Sequence, residues 1–142
     1  TAVGYSTLYG DLAGGFAVIK DILKTLVYRL CRHRNAIAPV IPERILTRAP
    51  SAELKDNQTD QDSLPAYEVL DRIIELYMQE GLAIPEVVAE GLDEAVVRRV
   101  VRMIRISEYK RRQSPIGIRV THRGFGRDWR YPITNRFREE SA

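Results

Sequence analysis

Apolar residues recur at helical spacing in three stretches of the chain. In VIKDILKTLVYRLCRHRN, residues 18–35, Val18, Ile22, Leu23, Leu26, Val27, Leu30 and Cys31 share one face, which predicts a helix from about Asp21 to Arg34. Asp21 stands where an N-cap acceptor is needed, and Arg29, Arg32 and Arg34 suit the negative end of the helix dipole. In SLPAYEVLDRIIELYMQEG, residues 63–81, the face is Tyr67, Leu70, Ile73, Ile74, Tyr77 and Met78, with Ser63 placed to cap the helix and Gly81 to end it. From residue 83 the pattern predicts a short helix, a turn at Gly91, and a long basic helix over 93–113 capped by Asp93. Val96, Val97, Val100, Met103 and Ile104 face inward there, and Arg98, Arg99, Arg102 and Arg105 face mostly outward. PVIPERILTRAP, residues 39–50, allows one further short helix with Pro42 at its first turn.

The remaining stretches lack a period. Residues 50–65, PSAELKDNQTDQDSLP, are polar and bounded by prolines, which predicts a long loop of the kind that serves as a lid, ordered when ligands are bound. Residues 114–142 predict an irregular basic tail with one short extended segment at GIRVTH, residues 117–122. Strand candidates are few and no internal repeat is present, so the segment reads as mainly α-helical with long loops. GYSTLYGDLAGGF, residues 4–16, sets four glycines around Asp11 among hydroxyl side chains. It matches neither a GxGxxG fingerprint nor a GxxxxGK[ST] phosphate loop. Taken locally, it is equally a tight connection or a place where a ligand lies against the main chain.

Charge divides the chain. Residues 1–50 carry seven Lys/Arg against three acids, residues 51–92 two against ten, and residues 93–138 thirteen against four; the net charge is +3. A basic C-terminal third suits phosphates, on a nucleotide or on nucleic acid. One cysteine, Cys31, excludes an internal disulfide and fits a reducing, cytoplasmic setting; on an apolar face it reads as a small core residue. No apolar run approaches the roughly 20 residues of a membrane span. His33 and His122 have no partners at metal-ligand spacing, so no metal site is assigned within the chain. Lys24, one turn past Lys20, is either a solvated lysine or a point charge for a phosphate. Lys110, Arg111 and Arg112 either complement a helix dipole or hold an anion. PEVVAEGLDEAVVRRVVRMI also has the outline of a helix-turn-helix. A DNA-binding module using residues 85–112 is therefore the alternative function, although the acidic segment before it would repel a duplex.

Taken in order, GYSTLYGD, AVIKDILKTLVYRL, IPERILTRAPSAEL, NQTDQDSLPAYEVLDRIIELY and SEYKRRQSP resemble consecutive blocks of the synthetase domain of NAD synthetases. The tail RGFGRDWRYPITNRF resembles the glutamine-dependent, two-domain form, which carries a nitrilase-like glutaminase upstream. The resemblance implies a parent α/β domain with a Rossmann-like, adenine-nucleotide α-hydrolase-like sheet, of which residues 1–142 are a C-terminal segment cut from a longer chain. It implies an ATP-dependent ligase acting with Mg2+. ATP adenylates the carboxylate of deamido-NAD, and glutamine-derived ammonia from the glutaminase domain displaces AMP to give NAD. It also implies a cytoplasmic homo-oligomer with no membrane or nucleic-acid partner. Carried over by position, Tyr5, Ser6, Thr7 and Leu8 would line the deamido-NAD site with Asp11 beside them. Tyr109 and Lys110 match a His-Lys pair that contacts the same substrate, and Lys24 and Ser51 match ATP-site residues. Leu8 and Gly15 depart from the family pattern, in which lysine and an acid stand there. The SGGxDS pyrophosphate loop is absent, and the family's metal-ligating acid would lie just before Thr1. The isolated segment is therefore expected to be inactive.

Overall fold

The computed structural model describes residues 1–52 and 55–137, which form two compact units, residues 1–21 with the described residues from 72 on, and the described residues of 22–71. The helices recognised by period are present, with different ends. In the second unit, α1 (Lys24–Ile37) begins at Lys24 rather than at Asp21. Leu23 occupies the N-cap and offers no side-chain acceptor. The acceptor comes instead from Asp71, whose Oδ2 receives the Thr25 N–H at 2.7 Å. Burial pushes the Asp71 carboxyl above the ordinary carboxylate range, against the hydrogen bond from Thr25. No residue of α1 is buried, so Cys31 is half-buried rather than a core residue. Asn35 closes the helix end: its side chain accepts from Val40 N at 3.1 Å and Ile41 N at 2.9 Å, and donates to Ile41 O at 2.8 Å. The chain is thereby turned into α2 (Glu43–Thr47), with Pro42 at the N-cap and Leu46 buried.

The 50–65 stretch is not loop throughout. Its last part forms a 3-10 turn, Asp60–Asp62, fixed by a reciprocal capping box in which Thr59 N–H donates to Asp62 Oδ2 at 2.9 Å. Asp60 is buried; its N–H donates to Pro50 O at 2.9 Å and its carboxylate accepts from the Tyr67 hydroxyl. Leu64 is buried beside it in sequence. Polar side chains here make local turn bonds, a signal that hydrophobic periodicity does not carry. Of the same stretch, Glu53 and Leu54 lie outside the described residues.

From Tyr67 the chain forms α3 (Tyr67–Ile74) and then widens into a π-helical segment, Glu75–Glu80, ended by Gly81 at φ 80°. The wider turn buries three consecutive residues, Leu76, Tyr77 and Met78, which a 3.6-residue period does not favour. In the first unit this segment packs on α4 (Ile84–Ala89), and α4 packs on α5 (Glu94–Ile106). Gly91, at φ 88°, turns the chain between them, and Asp93 caps α5 by accepting the Val96 N–H at 2.9 Å. Ile73, Leu76, Ile84, Val87, Val97, Val100, Val101 and Ile104 make the core, with Trp129 of the tail. The long helix expected over 93–113 is broken at Ser107, which is buried at φ −94°, ψ 10°; α6 (Glu108–Gln113) follows. Residues 114–137 are less irregular than their composition suggests. β2 (Ile116–Gly117) pairs in parallel with β1 (Phe16–Ala17), in the register Phe16 to Ile116. Gly117 is required there, since a Cβ would sit 2.5 Å from Ala17 O. Arg138–Ala142 lie outside the described residues.

Asp21, expected to cap α1, instead ties this tail down. Its buried carboxylate accepts from the N–H groups of Val120 (2.8 Å), Thr121 (2.8 Å) and Phe125 (2.7 Å) and from the Thr121 hydroxyl (2.9 Å). Burial opposes the charge, but the four donors outweigh it and hold the carboxyl below its ordinary range. A depressed folded value means that the stabilisation is complete above the unfolded value of about 3.9 and is lost as pH falls through the folded one. Asp21→Asn, which turns an amide donor towards N–H groups, is expected to cost roughly 1.5–3 kcal/mol at neutral pH. The acid limb of melting temperature against pH should flatten with it. A melting temperature unchanged at pH 7 would show that other contacts hold residues 120–125.

Candidate functional site

In the first unit the glycine-rich stretch is pinned from one side by α6. Gly4 adopts φ 73°, and a Cβ on it would lie 2.1 Å from Ser107 Oγ, so only glycine fits this approach of the loop to the helix break. Lys110 reaches back across the sequence: its Nζ donates to Gly4 O at 2.6 Å and to Ser6 O at 2.7 Å. Arg111 donates from Nη1 to Ala2 O at 2.7 Å. Of the three cations at 110–112, Lys110 and Arg111 thus hold main-chain carbonyls of the loop and the third, Arg112, pairs with Glu108 at 3.1 Å. Tyr109 is 41% exposed and Leu8 is half-buried. Asp11 is exposed and organises the loop itself: it accepts the Thr7 N–H at 2.8 Å, while the Thr7 hydroxyl accepts the Asp11 N–H at 3.2 Å. The Ser6 hydroxyl oxygen is buried and has no hydrogen-bond partner among the described residues. Gly15 lies open, with nothing near its missing side chain.

Beneath this loop sits a charge cluster that motif reading missed. Glu108, 1% exposed, accepts from Arg111 at 3.0 Å, Arg112 at 3.1 Å and Arg130 at 3.3 Å. Burial works against its ionised form. Hydrogen bonds from Arg112 and the main chain at Tyr131, with the charges of Arg111 and Arg130, prevail and keep the carboxyl low. Arg111 is equally buried, and burial lowers its own value against the pull of Glu108. The spacing Glu-x-x-Arg-Arg was the available signal, since i+3 and i+4 partners meet on a helix. Lys20, noted only as a neighbour of Lys24, donates to Pro115 O and lies 5.4 Å from the Phe125 ring centre.

In the second unit Lys24 is the first residue of α1, not an interior one. Its ammonium lies 5.4 Å from the Tyr28 ring centre and 5.7 Å from that of Tyr67. No acid occupies the first turn of α1. A cation at the positive end of a helix dipole is a combination that favours an anion. Ser51 is half-buried in the same unit.

The DNA-reading alternative finds no support. Arg98 is tied to Glu94 at 2.8 Å. Arg105, expected outward, donates to the Tyr77 hydroxyl at 2.7 Å and lies 5.4 Å and 5.0 Å from the ring centres of Tyr131 and Phe137. Burial pushes the Tyr77 hydroxyl up, against the Arg105 hydrogen bond.

Residues 1–114 match the family model described as NAD synthase, and the chain belongs to that family. It is 58% identical over 137 residues to the glutamine-dependent NAD(+) synthetase of Aquifex aeolicus, covering 96% of this chain and 24% of that protein. The corresponding protein of Thermotoga maritima is 55% identical over 140 residues, covering 97% and 24%. A solved structure of the glutamine-dependent NAD+ synthetase from Acinetobacter baumannii, in complex with adenosine diphosphate, matches 94% of this chain and 23% of its own at 48% identity, with a TM-score of 0.49. The chain spans about a quarter of the length of the curated relatives it matches. Among the described residues no helix is long and apolar enough to cross a membrane.

Proposed function

We propose that this chain is the C-terminal part of the synthetase domain of a glutamine-dependent NAD synthetase, and that it supplies residues for binding deamido-NAD and residues for binding ATP. The observation that carries the reading is the bond from Lys110 to the carbonyls of Gly4 and Ser6, more than a hundred residues away in sequence. The family's substrate would touch both segments. The parent domain is then an adenine-nucleotide α-hydrolase-like sheet, with the helices and lid described here at one end of it. A cytoplasmic homo-oligomer completes the reading.

In the reaction, the nicotinate carboxylate attacks the α-phosphorus of ATP and pyrophosphate leaves. Ammonia from an upstream glutaminase then attacks the acyl carbon, and AMP departs with the bonding electrons. This chain's residues bind and orient. Residues Tyr5 to Leu8, with Asp11 bracing Thr7, present the loop to deamido-NAD, and Tyr109 flanks it. Two of the three Lys110 N–H donors go to the loop, which leaves the third for the anionic substrate. Lys24 and Ser51 take the ATP phosphates, with Tyr28 and Tyr67 steadying the lysine. The 50–65 stretch is the lid of this reading, and its Asp60–Asp62 part is already folded. Among the described residues no cluster of three or more His, Cys, Asp or Glu gathers to hold a metal ion. Magnesium is held through one or two carboxylates together with nucleotide phosphates, and in this reading those carboxylates come from the rest of the longer protein.

Lys24→Ala in the full-length protein is expected to raise the KM for ATP about 10- to 100-fold, the equivalent of losing one charge-assisted contact. The deamido-NAD KM should move little and glutamine hydrolysis not at all. An unchanged KM and kcat for ATP would remove Lys24 from the site.

A further inference from the structure

We infer that Glu108 and Arg111 form a positioning pair that sets the main chain of residues 2–6, and through it the affinity for deamido-NAD. The inference rests on the proposed function. Both residues are 1% exposed and their side chains are paired at 3.0 Å. A buried ion pair is a poor source of net stability, because the desolvation of two charges offsets most of their attraction. What it does supply is direction. With Glu108 holding Nη2, the guanidinium plane of Arg111 is fixed, and Nη1 is aimed at Ala2 O at 2.7 Å. Next to it, Lys110 takes the carbonyls of Gly4 and Ser6. Three carbonyls at alternate positions, 2, 4 and 6, are thus all held by two adjacent cations of one short helix.

The loop's own main chain adds little to this hold. Its own main-chain bonds over this span are Gly4 N–H to Thr1 O and Ser6 N–H to Gly4 O, each 2.9 Å, and neither reaches a packed element. Val3, buried between the clamped residues, supplies the apolar anchor. Glu108 also draws in Arg112 and Arg130, so the pair is braced from the helix end and from the tail. Neither Glu108 nor Arg111 needs to touch substrate for this; each acts through residues 2–6.

The test uses the full-length enzyme with Glu108→Gln and Arg111→Lys. Glu108→Gln is expected to raise the KM for deamido-NAD at least about tenfold, the equivalent of about 1.4 kcal/mol. The ATP KM should stay within about twofold and the glutaminase rate unchanged, with amide hydrogen exchange over residues 2–8 accelerated. Arg111→Lys keeps the charge but reaches only one of its two partners, so an intermediate effect is expected. A variant with a lowered melting temperature but wild-type KM values and exchange would overturn the inference, as would an equal rise in both KM values. Should Glu108→Gln not fold, Arg111→Lys decides alone. If the wild-type enzyme forms no NAD, the proposed function falls. Exchange over residues 2–8 then still decides whether the pair positions the loop.

Discussion

Replacing Lys110 by methionine in the full-length protein is expected to raise the KM for deamido-NAD by roughly 100-fold or more. Two charge-assisted hydrogen bonds, to Gly4 O and Ser6 O, are lost together. Such bonds contribute about 1.5–3 kcal/mol each, and a part-buried carbonyl left unmatched adds its own penalty. Loop disorder of that size is paid in the affinity of whatever the loop binds. Arg at 110 should recover part of the effect, because it keeps the charge but places its donors in a planar fork. The control is Arg98→Gln with Arg102→Gln. The Arg98–Glu94 pair, open to solvent on α5, is worth only about 0.3–0.5 kcal/mol and among the described residues makes no bond to the loop. Steady-state kinetics with each substrate varied in turn decides the matter: wild-type values for the Lys110 variant would separate α6 from the substrate.

Glu108→Ala should be the most destabilising single substitution in the first unit. It leaves the Arg111 guanidinium buried with Ala2 O as its remaining hydrogen-bond acceptor and the Tyr131 ring 5.7 Å away. Removing one member of a buried pair costs about 3–5 kcal/mol, far more than the pair itself is worth. Arg112 and Arg130, being half-exposed, can swing into solvent and lose little. The denaturation midpoint of the full-length protein, followed by a probe in this segment, reads the effect. A shift no larger than that of a surface variant would mean that water reaches Arg111 and the cluster is not sealed.

Much of the architecture was legible before any coordinates. The apolar periods found α3, α4 and α5, and the glycines at 81 and 91 and the cap at Asp93 marked their ends, because each is a contact within one or two helical turns. The order of the motif blocks led to the NAD synthase family, which the match over residues 1–114 shows. Reading failed where a local signal had a stronger distant competitor. Asp21 had the position of a helix cap, but three tail N–H groups and a hydroxyl outbid the helix for its carboxylate. Arg105 had an outward position by period, yet two aromatic rings of the tail lie over it. The continuous helix over 93–113 breaks at Ser107, where Gly4 comes so close that a Cβ would strike the serine side chain.

By itself, then, the sequence determined the periodic helical segments, the cap at Asp93 and the membership of the chain in its family, since these depend on neighbours in the chain and on residue order. Tertiary structure alone decided what the cations at 110–112 hold, which carboxylates are buried, and which lysine stands at the start of α1. Those outcomes depend on partners up to 109 residues away. A charged side chain takes whichever partner folding brings within hydrogen-bond reach, and linear spacing records no such distance.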